Sequence, residues 1–280
     1  MMNLVYYELF KTYAKWRTYI GFIAVAVIIP LIMWGMHLQS GHNFVQYQLR
    51  SLQSDFLITG NLFNGWSISQ IIMNSLWVHV PFLISLVAGD QLAGEATAGT
   101  FRLILIRPVS RTRILVSKYI ATLFYTASLL IVIAILSLGL GLIIFGSGDL
   151  LAVDRDMLTI LPEAHLWSRF LLAYSLAIWS MWVVASLAFL FSSFVENAIG
   201  PIIATMTVVV ALLIISNLPV ESFESIKPYL FTTYQDVWQQ AFKEPTDWSH
   251  IAKSCGVLGV YSAVFYSMTW YIFKRKDILS

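Results

Sequence analysis

Six long apolar stretches, separated by short polar segments, run along the chain. Each is near the roughly 20 residues that a helix needs to cross the ~30 Å hydrocarbon core of a bilayer. Runs such as IATMTVVVALLIIS are apolar on every face, whereas the strands of a membrane barrel alternate apolar and polar residues. The pattern predicts an all-α membrane protein, a single transmembrane domain over residues 1–280, with six spans at residues 19–36, 67–89, 114–145, 166–191, 197–216 and 251–273.

Composition and charge support this interpretation and orient it. Of the 280 residues, 58% are hydrophobic and 11% are charged, which is outside the range of soluble globular domains. An even number of spans places both termini on one side. If that side is the cytoplasm, eleven of the seventeen lysines and arginines but only five of the fifteen acids lie inside. Because basic residues accumulate on the cytoplasmic side, we expect both termini there.

The segment before the first span is amphipathic. In residues 3–18, aromatic and apolar side chains recur at helical spacing, while Glu8, Lys11 and Lys15 gather on the opposite face. This favours a helix lying in the inner membrane interface. A frayed tail remains the alternative, because short helices depend on packing.

The outer segment at residues 218–248 mixes aromatic residues with acids and three prolines. Two interpretations stay open. It could dip into the outer leaflet as short helices, where its backbone would have to be buried in protein or line a wet cavity. It could equally be a surface loop with interfacial aromatics.

The connection between the second and third spans, residues 89–118, reads GDQLAGEATAGTFRLILIRPVSRTRILVSK; we call it the inner connection. Phe101, Ile104 and Leu105 fall on one helical face, and Pro108 ends that short helix. Ser110 is placed to cap the next helix. An apolar face in the cytoplasm predicts a partner surface.

The inner connection also resembles a known signature. Glu95, the Gly99–Thr100 step, the stretch RPVSR at 107–111 and Lys118 are similar to the inner loop of ABC-2 type permeases, the membrane subunits of bacterial ABC exporters. The resemblance extends to the amphipathic N-terminus, the six spans and the long outer segment before the last span. Ala96, Thr97 and Ala98 depart from the family pattern, since family members often carry more charge there.

The resemblance implies a type V exporter-like fold in which this chain spans the membrane and separate subunits bind ATP. The loop would be a coupling helix docked on a separate ATP-binding subunit. The implied docking residues are Glu95, Gly99, Thr100, Phe101, Arg102, Ile104, Leu105, Arg107, Pro108 and Arg111. Two ATP-binding subunits would bind ATP and Mg, and a second permease copy or paralogue would complete an exporter in the cytoplasmic membrane of a bacterium. We expect contact with lipid and no nucleic-acid partner.

Two roles compete for the charges of the inner connection. Glu95 and Arg102 could fix the register of docking through charge-assisted hydrogen bonds to the partner. Alternatively Arg107, Arg111, Arg113 and Lys118 could anchor helix ends to anionic headgroups, at about 1 kcal/mol each.

Motifs for chemistry in this chain are missing from the sequence. No GxxxxGK[ST] phosphate loop occurs, since Glu95 stands where that motif needs lysine, and no HExxH motif marks a zinc site. We therefore expect no catalytic residue, cofactor or metal in the chain itself. An intramembrane enzyme built from distant residues, or an assembly protein that moves nothing, remains the alternative to a permease.

Within the spans, His79 is the main ionisable candidate, followed two residues later by Pro81. An ionisable residue inside the membrane is a functional hypothesis by default, so His79 could line a passage. It could instead bond to a backbone carbonyl that Pro81 leaves free and serve helix packing.

Overall fold

The computed structural model describes residues 1–38, 64–100, 109–153, 158–195 and 197–275. Helices dominate these ranges. They are α1 (Met2–Ala14), α2 (Trp16–Leu38), α3 (Gly65–Leu76), α4 (Val80–Ala88), α5 (Asp90–Thr97), α6 (Arg111–Phe145), α7 (Glu163–Phe194), α8 (Ile199–Asn217), α9 (Glu221–Glu224) and α10 (Trp248–Arg275). Strands β1 (Leu150–Val153) and β2 (Leu158–Leu161) form a hairpin, and 3-10 helices occupy Lys227–Tyr229 and Phe231–Phe242.

Five of the described helices are long and apolar enough to cross a membrane: α2, α6, α7, α8 and α10. Helices α3 and α4 pass the same test only as a pair, with a bend of 55° between them. Taken as one span, this pair gives up to six crossings. The structure thus agrees with the prediction of a helical membrane protein.

Three details differ from the prediction. The second predicted span is broken at residues 77–79, because Pro81 at the start of α4 cannot continue the hydrogen bonding of α3. The predicted N-terminal helix stops at Ala14, since Lys15 has an extended backbone. A short hairpin also accompanies the helices that dominate the fold, and in it β1 and β2 pair antiparallel from Leu150 opposite Leu161.

Helix α7 forms the centre of the fold. In its most apolar window 67% of the residues are buried, against 17–28% in the other four long helices. Helices α4, α6, α8 and α10 and the longer 3-10 helix all pack against it. The outer faces of the surrounding helices therefore remain apolar and exposed, as a lipid-facing surface requires.

The outer segment packs into this bundle. Phe231 and Trp238 of the longer 3-10 helix are almost fully buried. The Trp238 ring lies 5.4 Å from that of Trp77, at the break between α3 and α4, and the Phe231 ring lies 6.2 Å from that of Phe265 on α10. One face of this segment therefore belongs to the core, which the surface-loop interpretation did not anticipate.

Helix α3 begins in close contact with α6. The Asn64 side chain caps α3 by accepting from the backbone N–H groups of Trp66 and Ser67. A Cβ added at Gly65 would lie 2.5 Å from the carbonyl carbon of Gly141. Glycine at both positions lets the two backbones approach, as small residues do between membrane helices.

This contact predicts the effect of Gly65→Ala. The added methyl group would force α3 away from α6, so we expect a lower melting temperature for the purified protein in detergent, followed by tryptophan fluorescence. Gly139→Ala is the matched control on α6, since a Cβ there meets nothing within 4 Å. That change should be neutral or slightly stabilising, because alanine favours helix by about 1 kcal/mol over glycine. Equal effects of the two substitutions would contradict the close approach.

Candidate functional site

The inner connection begins as a short helix, α5. Helix α4 ends at Ala88, and α5 follows it directly at Asp90. The chain then turns through Gly99, whose φ of +65° suits glycine. Ser110 caps α6 by accepting from the backbone N–H of Arg113 at 3.4 Å, as its position in the sequence predicted. Both ends of the connection are thus attached to membrane helices.

Two charged side chains of the inner connection meet two charged side chains of α1. We call these four residues the buried charge cluster: Glu8, Lys11, Glu95 and Lys118. The Lys118 ammonium lies 2.9 Å from the Glu8 carboxylate and 3.0 Å from the Glu95 carboxylate. Lys11 also pairs with Glu95. The side chain of Lys118 is only 1% exposed and that of Glu95 only 3%. The cluster thereby joins α1, α5 and α6.

Formal charge in the cluster balances, with two carboxylates facing two ammonium groups. Burial alone would raise the pKa of Glu95, but the positive charge of Lys118 and hydrogen bonds from Lys11, Thr100 and Lys118 outweigh it and lower the pKa to about 2. Glu95 is therefore ionised at neutral pH. A buried charge is tolerated only when it is paired and hydrogen-bonded in this way.

A second set of ion pairs lies at the start of α5. The Asp90 carboxylate accepts from Lys15 at 2.8 Å and from Arg17 at 3.1 Å. Gly94 makes room for that carboxylate, because a Cβ there would lie 2.5 Å from an Asp90 oxygen. The break between α1 and α2 is thereby held against the start of α5.

Several sequence-predicted docking residues fall outside the described residues. These are Phe101, Arg102, Ile104, Leu105, Arg107 and Pro108. Of the others, Gly99 forms the turn, and Thr100 donates a hydrogen bond to the Glu95 carboxylate. Arg111 is exposed and donates to the backbone carbonyl of Lys274 at 3.4 Å.

Two charges have different roles from those expected. The Glu95 carboxylate points into the chain, where it bonds to Lys11, Lys118 and Thr100, rather than outward to a partner. Lys118 was a candidate headgroup anchor, and that interpretation is wrong, because an ammonium group buried between two carboxylates cannot reach a headgroup.

Sequence reasoning missed the part that Glu8 and Lys11 play in the site. It placed both on the polar face of an N-terminal helix lying in the inner membrane interface. The structure instead buries Glu8, while Tyr6 and Phe10 on the other side are 72% and 66% exposed. The amphipathic spacing showed that Glu8 and Lys11 share a helical face, but nothing in it identified Lys118 as the partner of Glu8.

A separate polar feature lies at the bend of the broken span. Asn74 and His79 are both exposed. Gln239 of the outer 3-10 helix donates to the Asn74 side chain at 3.3 Å. The His79 ring donates from Nδ1 to the Ser75 carbonyl at 3.0 Å. We call Asn74, Ser75, His79 and Gln239 the polar patch; the contacts of His79 lie within its own segment.

These features define a polytopic helical membrane protein with an inner connection held by buried ion pairs. By sequence, the chain belongs to the family described as Protein of unknown function (DUF2705), whose profile matches residues 22–279. It is also 25% identical over 316 aligned residues to the uncharacterized protein YhcI of Bacillus subtilis (strain 168), an alignment that covers 99% of each chain. Neither description names an activity.

The cluster predicts a large effect of Lys118→Met. The change leaves the buried carboxylates of Glu8 and Glu95 facing each other with Lys11 alone, and breaking a buried pair this way costs about 3–5 kcal/mol. We expect a clearly lower melting temperature in detergent. Arg113→Met removes an exposed charge from the same helix and should change stability little.

A triple variant tests whether the loss of stability in Lys118→Met comes from uncompensated charge or from general misfolding. Glu8→Gln, Glu95→Gln and Lys118→Met together remove both buried carboxylates and the buried ammonium group. Of the cluster's charges only Lys11 remains, and its side chain is 33% exposed, so the triple variant should recover much of the lost stability. If Lys118→Met alone matched the wild type, the cluster would not hold the inner connection.

The lowered pKa of Glu95 predicts how stability depends on pH. A carboxyl group whose pKa falls on folding contributes stability above its unfolded pKa, here 4.5, and loses that contribution as the pH drops toward about 2. The wild type should therefore melt higher than Glu95→Gln at pH 7, with a gap that narrows from pH 4.5 to pH 3. A gap that stayed constant over this range would show that ionised Glu95 is not the source of the difference.

Proposed function

We propose that this protein is the membrane-spanning permease subunit of an ATP-driven ABC-2 type exporter. In this proposal α3 and α4 together form one of six spans, and both termini lie in the cytoplasm. A second copy or a paralogue completes the membrane domain. Two separate ATP-binding subunits bind ATP with Mg and hydrolyse it. The resemblance of the inner connection and the distribution of basic residues support this assignment.

One observation carries the proposal: Glu95 joins the inner connection to α1 and α6 through buried ion pairs. Helix α5 continues into α4, so a force applied at residues 99–108 would reach three membrane-associated segments together. A simple turn between spans would not need charges at such cost. A connection that transmits movement from a partner would need this rigidity.

The roles within the connection follow from the burial of Glu95 and from the sequence pattern of residues 99–111. Glu95 and Thr100 hold the connection to its own chain. The partner would be contacted by the apolar face of Phe101, Ile104 and Leu105, and by Arg102, Arg107 and Arg111 around it. Gly99 and Pro108 would set the two ends of the coupling helix. The residues that bind the partner would then differ from those that attach the connection to its own chain.

The polar patch favours transport over the alternatives. In this proposal Asn74 and His79 lie within one of the six spans, and both side chains are exposed on the chain. Exposed polar groups at that depth are costly against hydrocarbon and are found where they face protein or a watery cavity. A second copy that placed its own patch opposite would form such a passage, and His79 would line it.

Closure of the ATP-binding subunits around nucleotide would then be coupled to movement of the segments that line the passage. Closure of the ATP-binding subunits would displace the coupling helix, and α5 would carry that displacement into α4 and the bend beside His79. The membrane domain would alternate between inward and outward states by rigid movement of these segments. No covalent step is assigned to this chain.

Phe101→Ala tests this proposal. The chain is co-expressed with its genomic neighbours, purified in detergent, and examined for a co-purifying ATPase. We expect a stoichiometric ATP-binding subunit with the wild type, and a loss of at least about tenfold in retained ATPase with Phe101→Ala, since a buried aromatic anchor typically contributes 2 kcal/mol or more. Phe124→Ala removes an exposed phenylalanine of α6 instead and should retain the partner.

The other outcomes separate the alternatives. A chain that purifies without an ATPase, with its melting temperature intact, would overturn the permease assignment and favour an assembly role. Activity in the isolated chain without ATP would favour a membrane enzyme. Equal loss with both phenylalanine variants would indicate general destabilisation instead of docking.

A further inference from the structure

A groove of about 820 Å³ opens at the inner end of the bundle, between the α1–α2 break, α4–α5 and the start of α8. Lys15, Arg17 and Asp90 stand at its polar end, and Ile20, Leu86 and Ile202 form apolar wall along the helices. Trp16, at its rim, is 75% exposed. The groove thus joins a cationic end to an apolar wall, as the headgroup and acyl chain of a lipid require.

The cationic end has donors to spare. Asp90 takes one hydrogen bond from Lys15 and one from Arg17, whereas an ammonium group has three N–H donors and a guanidinium group five. The side chain of Arg17 is 66% exposed. These three side chains carry a net charge of +1, so the groove is matched to an additional anionic group.

The apolar wall is what separates this groove from a site for a small anion. Ile20 and Ile199 are 42% and 61% exposed along its sides. A free phosphate would leave that surface uncovered, whereas an acyl chain would cover it at about 25 cal/mol for each Å² removed from water. A nucleotide likewise offers no apolar chain that could cover this wall.

We propose that this groove binds an anionic phospholipid of the inner leaflet, with its phosphate on Arg17 and Lys15 and one acyl chain against Ile20, Leu86 and Ile202. The site is independent of the proposed transport function. It bridges α2, α5 and α8, so a bound lipid would hold the N-terminal helix break against the inner connection.

The test measures lipid retention by native mass spectrometry. The full chain in neutral detergent is titrated with phosphatidylglycerol or with phosphatidylcholine of the same acyl chains. We expect phosphatidylglycerol to be retained preferentially and Arg17→Gln to weaken its binding about fivefold, which corresponds to about 1 kcal/mol for one basic residue at an anionic surface. Arg17 is the position to change, because Lys15 still pairs with Asp90 in that variant.

Two further variants isolate the groove. Arg113→Gln removes the same charge from an exposed position on α6 that does not line the groove, so phosphatidylglycerol retention should stay at the wild-type level. Ala98→Trp places a large side chain in the groove without changing charge and should also weaken retention. Size-exclusion profiles establish that each variant stays folded and in the same oligomeric state.

Several results would overturn the proposal. Equal retention of the two lipids, or equal losses with Arg113→Gln and Arg17→Gln, would indicate unspecific adsorption. Competition by glycerol phosphate as effective as that by the lipid would indicate an anion site without an acyl chain. A change of oligomeric state in Ala98→Trp with lipid retention intact would identify the groove as a contact with a second copy.

Discussion

The ammonium group of Lys118 is the constraint around which the inner half of the molecule is arranged. With 1% of its side chain exposed, it cannot be solvated by water and must be compensated by carboxylates. The two that do so come from Glu8 and Glu95, which lie 110 and 23 residues away along the chain. Three segments therefore have to meet at one point, and the fold of the inner end follows from that requirement.

The contacts of Glu8 with Lys118 and of Lys11 with Glu95 also determine the orientation of α1. Glu8 and Lys11 must face the bundle, so Tyr6 and Phe10 on the opposite side of α1 face away from it. Exposed aromatic rings beside a membrane-spanning helix are suited to the interfacial region, where one part of a ring is apolar and another is wet. Burial of charge on one side of α1 and exposure of aromatics on the other are thus one arrangement.

The five long apolar helices could be predicted from the sequence because an all-round apolar run of about 20 residues has few other stable structures. The break at residues 77–79 was harder to predict, since Pro81 is compatible with a bent helix as well as with two separate ones. Pairing of Glu8 with Lys118 could not be predicted from spacing, because a contact across 110 residues depends on tertiary packing. Glu95 was found as a distinctive residue, but its direction was not, because a carboxylate beside a connection suits either a partner or the chain itself.

Burial divides the charges of the inner face into two kinds with different physical behaviour. Interactions within the cluster of Glu95 and Lys118 are poorly screened by salt, because water and ions are excluded from them. Those of Arg17 and Arg111 are exposed and weaken as ionic strength rises, so any partner or lipid held by them is held reversibly. A subunit that must keep its connection rigid while its contacts form and release would need both kinds, and the cluster provides the fixed one.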